Sequence, residues 1–157
     1  VTVTLMCGPS GSGKTTWAAD LEGAGAVRLS FDVELWRRGS RPLTATPELM
    51  QEVDAELRTR LVYLVRAGRD VVLDLTFSTR AMRQEWRALV LPLGVVPETV
   101  HLDVPHDELR RRLTARSDTA ADDVALTPEQ IERHLAEFEP PTAEEGPLRV
   151  VRVDPLA

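Results

Sequence analysis

One stretch, Gly8-Pro9-Ser10-Gly11-Ser12-Gly13-Lys14-Thr15, restricts the fold of this chain more than any other. It fits the spacing G-x-x-x-x-G-K-S/T, which has physical meaning only between a strand and a helix. Both flanks supply that setting. Val1, Val3 and Leu5 alternate with Thr2 and Thr4 ahead of Met6 and Cys7, the pattern of a short buried strand. Residues 17–22, WAADLE, read as a helix that Gly23 and Gly25 end. Glycines in such a turn let successive N–H groups point inward at phosphate oxygens, and the helix adds its positive end. Gly8, Ser10, Gly11, Ser12, Gly13, Lys14, Thr15 and Thr16 are therefore the candidate phosphate cradle. Lys14 offers a mobile cation to the outer phosphates, and Thr15 places a hydroxyl where Mg²⁺ can sit.

The rest of the chain repeats the strand-then-helix alternation. Residues 26–31 read as a strand ending at Asp32, and residues 33–47 as a loop or short helix. Leu49, Met50, Val53, Leu57, Leu61, Leu64 and Val65 recur at spacings of three and four, so residues 47–67 form an amphipathic helix capped by Thr46. Residues 71–77, VVLDLTF, lack alternation, as expected of a strand buried on both faces. A helix over 79–90, a strand over 99–104, an arginine-rich helix from 107, a helix over 127–139 and a strand over 148–154 complete the series. The pattern predicts an α/β fold with a five-stranded parallel sheet and helices on both faces. With 157 residues it is expected to be one domain spanning 1–157.

The net charge of −6 excludes a global basic footprint for long duplex DNA or an anionic membrane. No apolar run is long enough for a transmembrane helix, and the expected location is cytoplasmic. The 19 basic residues include one lysine, Lys14, so phosphate recognition elsewhere must rest on arginine. The single cysteine, Cys7, reads as a small core residue.

Several side chains fall where a parallel sheet binds ligands, beyond the carboxyl ends of its strands. Asp32 is placed to accept a proton from an attacking hydroxyl, and Glu34 is a weaker candidate. Asp74 sits near a strand end, where a carboxylate holds Mg²⁺ or its waters. Thr76 is a candidate contact to the transferring phosphate or the acceptor. Arg112 and Arg116 are four apart and share a helix face, able to clamp charge on a phosphoryl group in transit. The other arginines of that run, Arg110 and Arg111, read as a solvated face. Arg37, Arg38, Arg80 and Arg83 are candidates for gripping an acidic acceptor, and Trp36 for stacking on a flat one. Phe138 with Pro140 and Pro141 is a candidate border for adenine, with core packing the stronger alternative. His101, His106 and His134 show no metal-ligand spacing.

GPSGSGKTT, SFD, VVLDLTF-STRAMRQEW, VHLDVPHDELRRRLTAR and HLAEFEPP together resemble the small P-loop kinases related to 5′-hydroxyl polynucleotide kinases, zeta toxins and chloramphenicol phosphotransferase. The resemblance spans about residues 1–154. It implies a P-loop NTPase three-layer sandwich of strand order 2-3-1-4-5 with a short helical lid over about 110–127. It also implies transfer of the γ-phosphate of ATP to a hydroxyl, with Mg²⁺ as cofactor. Lys14 and Thr15 would serve nucleotide and metal, Asp32 would be the general base, and Arg116 the lid arginine. The polynucleotide kinases carry an arginine three residues after the base; here that place is Leu35. The departure turns the expectation toward a small acceptor, while Arg37, Arg38 and Arg41 keep an oligonucleotide 5′-hydroxyl in view. No N-K-x-D guanine motif and no L-S-G-G-Q signature are present, and the length argues against an ATPase ring module. The alternative function is a nucleotide-binding switch or ATPase without a phosphoryl acceptor.

Overall fold

The computed structural model describes residues 1–116 and 125–153. Five strands, β1 (Val3–Cys7), β2 (Val27–Ser30), β3 (Val71–Asp74), β4 (Glu98–Asp103) and β5 (Leu148–Arg152), form one sheet in the order β2-β3-β1-β4-β5. Every pairing is parallel, as the strand-helix alternation predicted. The helices are α1 (Lys14–Gly23), α2 (Phe31–Arg37), α3 (Pro47–Arg66), α4 (Arg80–Val90), α5 (His106–Thr114) and α6 (Pro128–Glu137). The lid expected over 110–127 falls partly outside the described residues.

Alternation along β1 feeds two cores. Val3, Leu5 and Cys7 face Leu29, Val71 and Leu73, which α3 and α4 cover with Leu57, Leu61, Trp86 and Val90. Met6 faces the other way and packs with Val72, Val100, Leu102 and Ala18 of α1. A third cluster joins α5 to α6 through Leu109, Leu113, Ile131 and Leu135. Each such fully buried leucine contributes about 1.5–3 kcal/mol of transfer free energy. Thr127 and Gln130 start α6 with a capping box, so its direction is set before it meets α5.

Two boundaries at the site differ from the sequence reading. β2 stops at Ser30, whose hydroxyl accepts the Val33 N–H at 3.3 Å and caps α2. Asp32 is thus in the first turn of a helix, where the helix dipole favours its charge, and does not end a strand. β3 ends at Asp74, three residues before Phe77, because Phe77 adopts a left-handed φ of 49° and turns the chain off the sheet.

Gly13 precedes α1 with φ 99°, which a side chain rarely tolerates. At Gly8 the constraint is space: a Cβ would lie 2.6 Å from Ser12 Oγ and 3.2 Å from the Leu102 carbonyl oxygen. The strand below is fixed in the sheet, so the loop has to yield. Gly8→Ala is expected to destabilise the fold by about 1–3 kcal/mol. A urea midpoint equal to wild type would refute this packing account.

Candidate active site

The glycine loop leaves β1 at the sheet's carboxyl edge and enters α1 at Lys14. Lys14 is buried, and its Nζ donates to the carbonyl oxygens of Gly8 at 2.7 Å and Pro9 at 3.3 Å. Burial pushes its pKa down, while the Asp74 and Asp32 carboxylates oppose that shift. A cavity of about 480 Å³ opens over the loop. Ser10, Gly11, Gly13, Lys14, Thr15 and Thr16 line its floor, and Asp32, Asp74, Thr76, Arg112 and Arg116 line it as well. Most of the site residues expected from the sequence therefore share one space. Gly8 and Ser12 lie beneath it as buried supports.

The carboxylates differ in setting. Asp74 is buried at the end of β3, and its Oδ2 accepts from Arg28 Nε at 2.9 Å and Nη2 at 2.5 Å. Arg28 lies on the neighbouring strand β2, two residues before Ser30, the register partner of Asp74, and was not singled out in the sequence. Asp32 borders both the large cavity and a second one of about 290 Å³, together with Ser10, Thr76 and Arg116. A hydroxyl compound entering that shared boundary meets the carboxylate beside the phosphate loop.

The arginine run on α5 divides by direction. Arg110 pairs with Asp107 and Glu132, outside the cavity. Arg111 and Arg112 both donate to Glu108, and their guanidiniums hold its carboxyl at about 2. Arg112 also donates from Nη1 to the Gly11 carbonyl oxygen at 2.9 Å, so it braces the loop directly. Glu108 orients that brace, and its three- and four-residue spacing from Arg111 and Arg112 was visible in the sequence.

Five expected acceptor contacts do not line either cavity. Arg80 is exposed at the start of α4, its N–H donating to Glu139 Oε2 at 3.0 Å. Arg37 pairs with Glu34, and Arg38 with Glu52 and Glu56. Trp36 carries the Arg41 guanidinium 3.4 Å above its ring. Arg83 is fully buried: Nε donates to Glu145 Oε1 at 2.7 Å, and Nη1 to the Phe77 and Glu139 carbonyl oxygens at 2.7 and 2.9 Å. It ties the turn after β3 to the segment before β5, because a buried guanidinium must satisfy every donor internally. Cys7 sits beside it, and burial pushes the thiol up to about 11, which fits a core residue and not a nucleophile. Phe138 packs against His101 and the core beside α3 and α4.

His134 is a site residue that sequence reasoning passed over. Its Nε2 accepts the Ser10 N–H at 2.8 Å, latching α6 onto the phosphate loop. Burial and then the Lys14 and Arg116 charges push its pKa down, while Glu137 opposes them. An accepting Nε2 requires the neutral ring with its proton on Nδ1. A depressed folded pKa means that the unfolded chain protonates first. This contribution is complete above the ordinary value of 6.5 and is lost as pH falls through the lower folded value. His101 acts with the same sign, so the comparison is between variants. In urea unfolding from pH 7 to 5, His134→Ala is expected to flatten the loss of stability seen in wild type. Parallel curves would refute the latch.

Residues 3–141 match a family model described as an AAA domain, AAA_33. The chain belongs to that family. The family name carries the ATPase class that the length argued against, yet the solved structures similar to this chain include kinases. A gluconokinase from Sinorhizobium meliloti 1021 superposes with a TM-score of 0.65 at 19% identity, over 99% of this chain and 84% of that one. The Pnkp1/Rnl/Hen1 RNA repair complex contains a chain matching with a TM-score of 0.73 at 19% identity, over 87% of this chain and 43% of that one. Kti12 from Chaetomium thermophilum, in complex with ADP-AlF3, matches with a TM-score of 0.62 at 16% identity, over 98% and 90%. At these identities the likeness is one of fold. No curated protein matches the sequence. Among the described residues, no helix is long and apolar enough to cross a membrane.

Proposed function

We propose that this protein is an ATP-dependent phosphotransferase that moves the γ-phosphate to the hydroxyl of an acceptor. One observation carries the reading: Asp32, Lys14, Arg116 and the glycine loop border one cavity that continues past Asp32 into a second. A hydrolytic switch needs room for water only, whereas this continuation accommodates an acceptor. The ADP-AlF3 held by Kti12 supports a nucleotide at the loop.

The chain's own residues supply positioning and charge, which dominate phosphoryl transfer. Loop N–H groups and Lys14 hold the phosphates. Asp32 orients the acceptor hydroxyl and takes its proton. Arg116 offsets charge on the transferring group, and Arg112 keeps the loop in shape. The donor set also suits Mg²⁺. Thr15 and Asp74 bring hard oxygen atoms to one cavity, and no cluster of three His, Cys, Asp or Glu occurs among the described residues. That composition fits an ion held mainly by phosphates and water. Mg²⁺ when bound would neutralise phosphate charge.

Lys14→Ala tests the loop's part. It is expected to weaken ATP binding and slow transfer together, read as nucleotide titration and initial rate. Wild-type values for both would remove the loop from the mechanism.

A further inference from the structure

The phosphate loop takes its shape from bonds inside the protein. Lys14 Nζ donates to the Gly8 and Pro9 carbonyl oxygens, and the Ser12 N–H donates to Pro9 at 3.2 Å. Arg112 of α5 donates to the Gly11 carbonyl oxygen, and His134 of α6 accepts the Ser10 N–H. Two consecutive loop residues are thus gripped by α5 and α6, which pack on each other through Leu109, Leu113, Ile131 and Leu135. The Ser10 and Ser12 N–H groups serve the loop's shape. Those of Gly11, Gly13 and Lys14 have no such internal partner among the described residues and are left for phosphate oxygens.

The hold on Ser10 acts at the reacting boundary. Ser10 lines both the large cavity and the second one, as do Asp32, Thr76 and Arg116. His134 lines the second cavity from α6, together with Gln130, Arg133 and Glu137. Its Nε2 accepts from Ser10 only while it carries no proton. A protonated ring would set one N–H against another, and the bond would be lost. Lys14, Arg112 and His134 are the side chains that hold the loop among the described residues. Of these, histidine has the ordinary pKa nearest neutrality.

We propose that His134 is a positioning residue for the nucleotide. Its neutral ring fixes Ser10, and with it the loop in the shape that receives the phosphates, so protonating the ring loosens the ATP site. This rests on the nucleotide-binding part of the phosphotransferase reading. The charges around the ring come from several elements. Burial disfavours the charged ring first, followed by Lys14 at the start of α1 and Arg116 after α5, while Glu137 on α6 favours it. Asp32 of α2 and Arg133 of α6 line the same cavity. The ring is therefore neutral at pH 7 and takes its proton below the ordinary value of 6.5.

The test is calorimetric titration of the full chain, with Mg²⁺ present, by the β,γ-imido analogue of ATP, which binds without turnover. Titrations are run at pH 7 and pH 4.5, and circular dichroism checks the fold of each variant at each pH. His134→Leu is expected to bind about 5-fold more weakly than wild type at pH 7, the usual worth of one hydrogen bond. His134→Gln has an amide oxygen that can accept the Ser10 N–H and does not titrate, so it is expected to recover most of that loss. The ratio of wild-type to His134→Gln affinity cancels the titration of the analogue's phosphates and of His101. That ratio is expected to fall at pH 4.5 as wild type approaches His134→Leu, while His134→Gln keeps its advantage over His134→Leu. The proposal is overturned by His134→Leu binding like wild type at pH 7, by His134→Gln binding as weakly as His134→Leu, or by a wild-type to His134→Gln ratio that pH does not change. Absence of binding by wild type at either pH would refute the nucleotide reading itself.

Discussion

Asp32→Asn is expected to lower the rate of phosphoryl transfer by about 10²- to 10⁴-fold, the usual share of a positioned general base, with ATP affinity nearly unchanged. The substitution keeps shape and replaces a proton-accepting carboxylate with an amide. It leaves the loop N–H groups, Lys14 and Arg112 intact, so the nucleotide keeps its main contacts. Asp32 lies in the first turn of α2, which the Ser30 hydroxyl caps, and asparagine is tolerated there, so folding is not the variable. Turnover and nucleotide titration on the same preparation separate the two effects. Unchanged turnover would remove Asp32 from the chemistry. Equal losses in turnover and ATP affinity would make it a nucleotide-site residue instead.

Arg83→Leu has the second largest expected effect, and it concerns the scaffold. The Glu145 side chain is 1% exposed and loses its closest ion-pair partner, while Phe77 and Glu139 lose a donor to their carbonyl oxygens. Arg87 remains near Glu145 at 3.4 Å and softens the loss. Breaking a buried pair from one side costs about 3–5 kcal/mol, read as a lower urea midpoint. Burial by itself raises the Glu145 pKa, but the Arg83 hydrogen bonds, the Thr142 N–H and the Arg83 and Arg87 charges bring it to about 2. Its folded value is thus below the ordinary 4.5, so its contribution is complete above 4.5 and lost as pH falls toward 2. In Arg83→Leu two of the causes that lower the folded value are gone, so less stability is lost between pH 4.5 and 2 than in wild type. If Arg83 bound acceptor instead, the variant would unfold like wild type and show only a higher acceptor KM.

These residues also show what a sequence makes legible. The phosphate loop was readable because its glycines and its strand-helix setting are local, within one short stretch. The sheet followed from alternation, and its order from the resemblance. Arg83 looked like a surface cation near a helix start; its partner Glu145 is 62 residues away, and no local pattern records that pairing. His134 was overlooked for the same reason, since Ser10 lies 124 residues away. Asp32 was placed at the right edge of the sheet though assigned to the wrong element, because the Ser30 cap begins the helix two residues sooner.

The central claim is transfer to an acceptor hydroxyl. Its most direct test is the fate of label from ATP carrying it on the terminal phosphate, followed with and without a panel of alcohols. The account predicts acceptor-dependent turnover, label on an alcohol oxygen, and loss of both in Asp32→Asn. Label appearing only as inorganic phosphate, at a rate no acceptor changes, would contradict it.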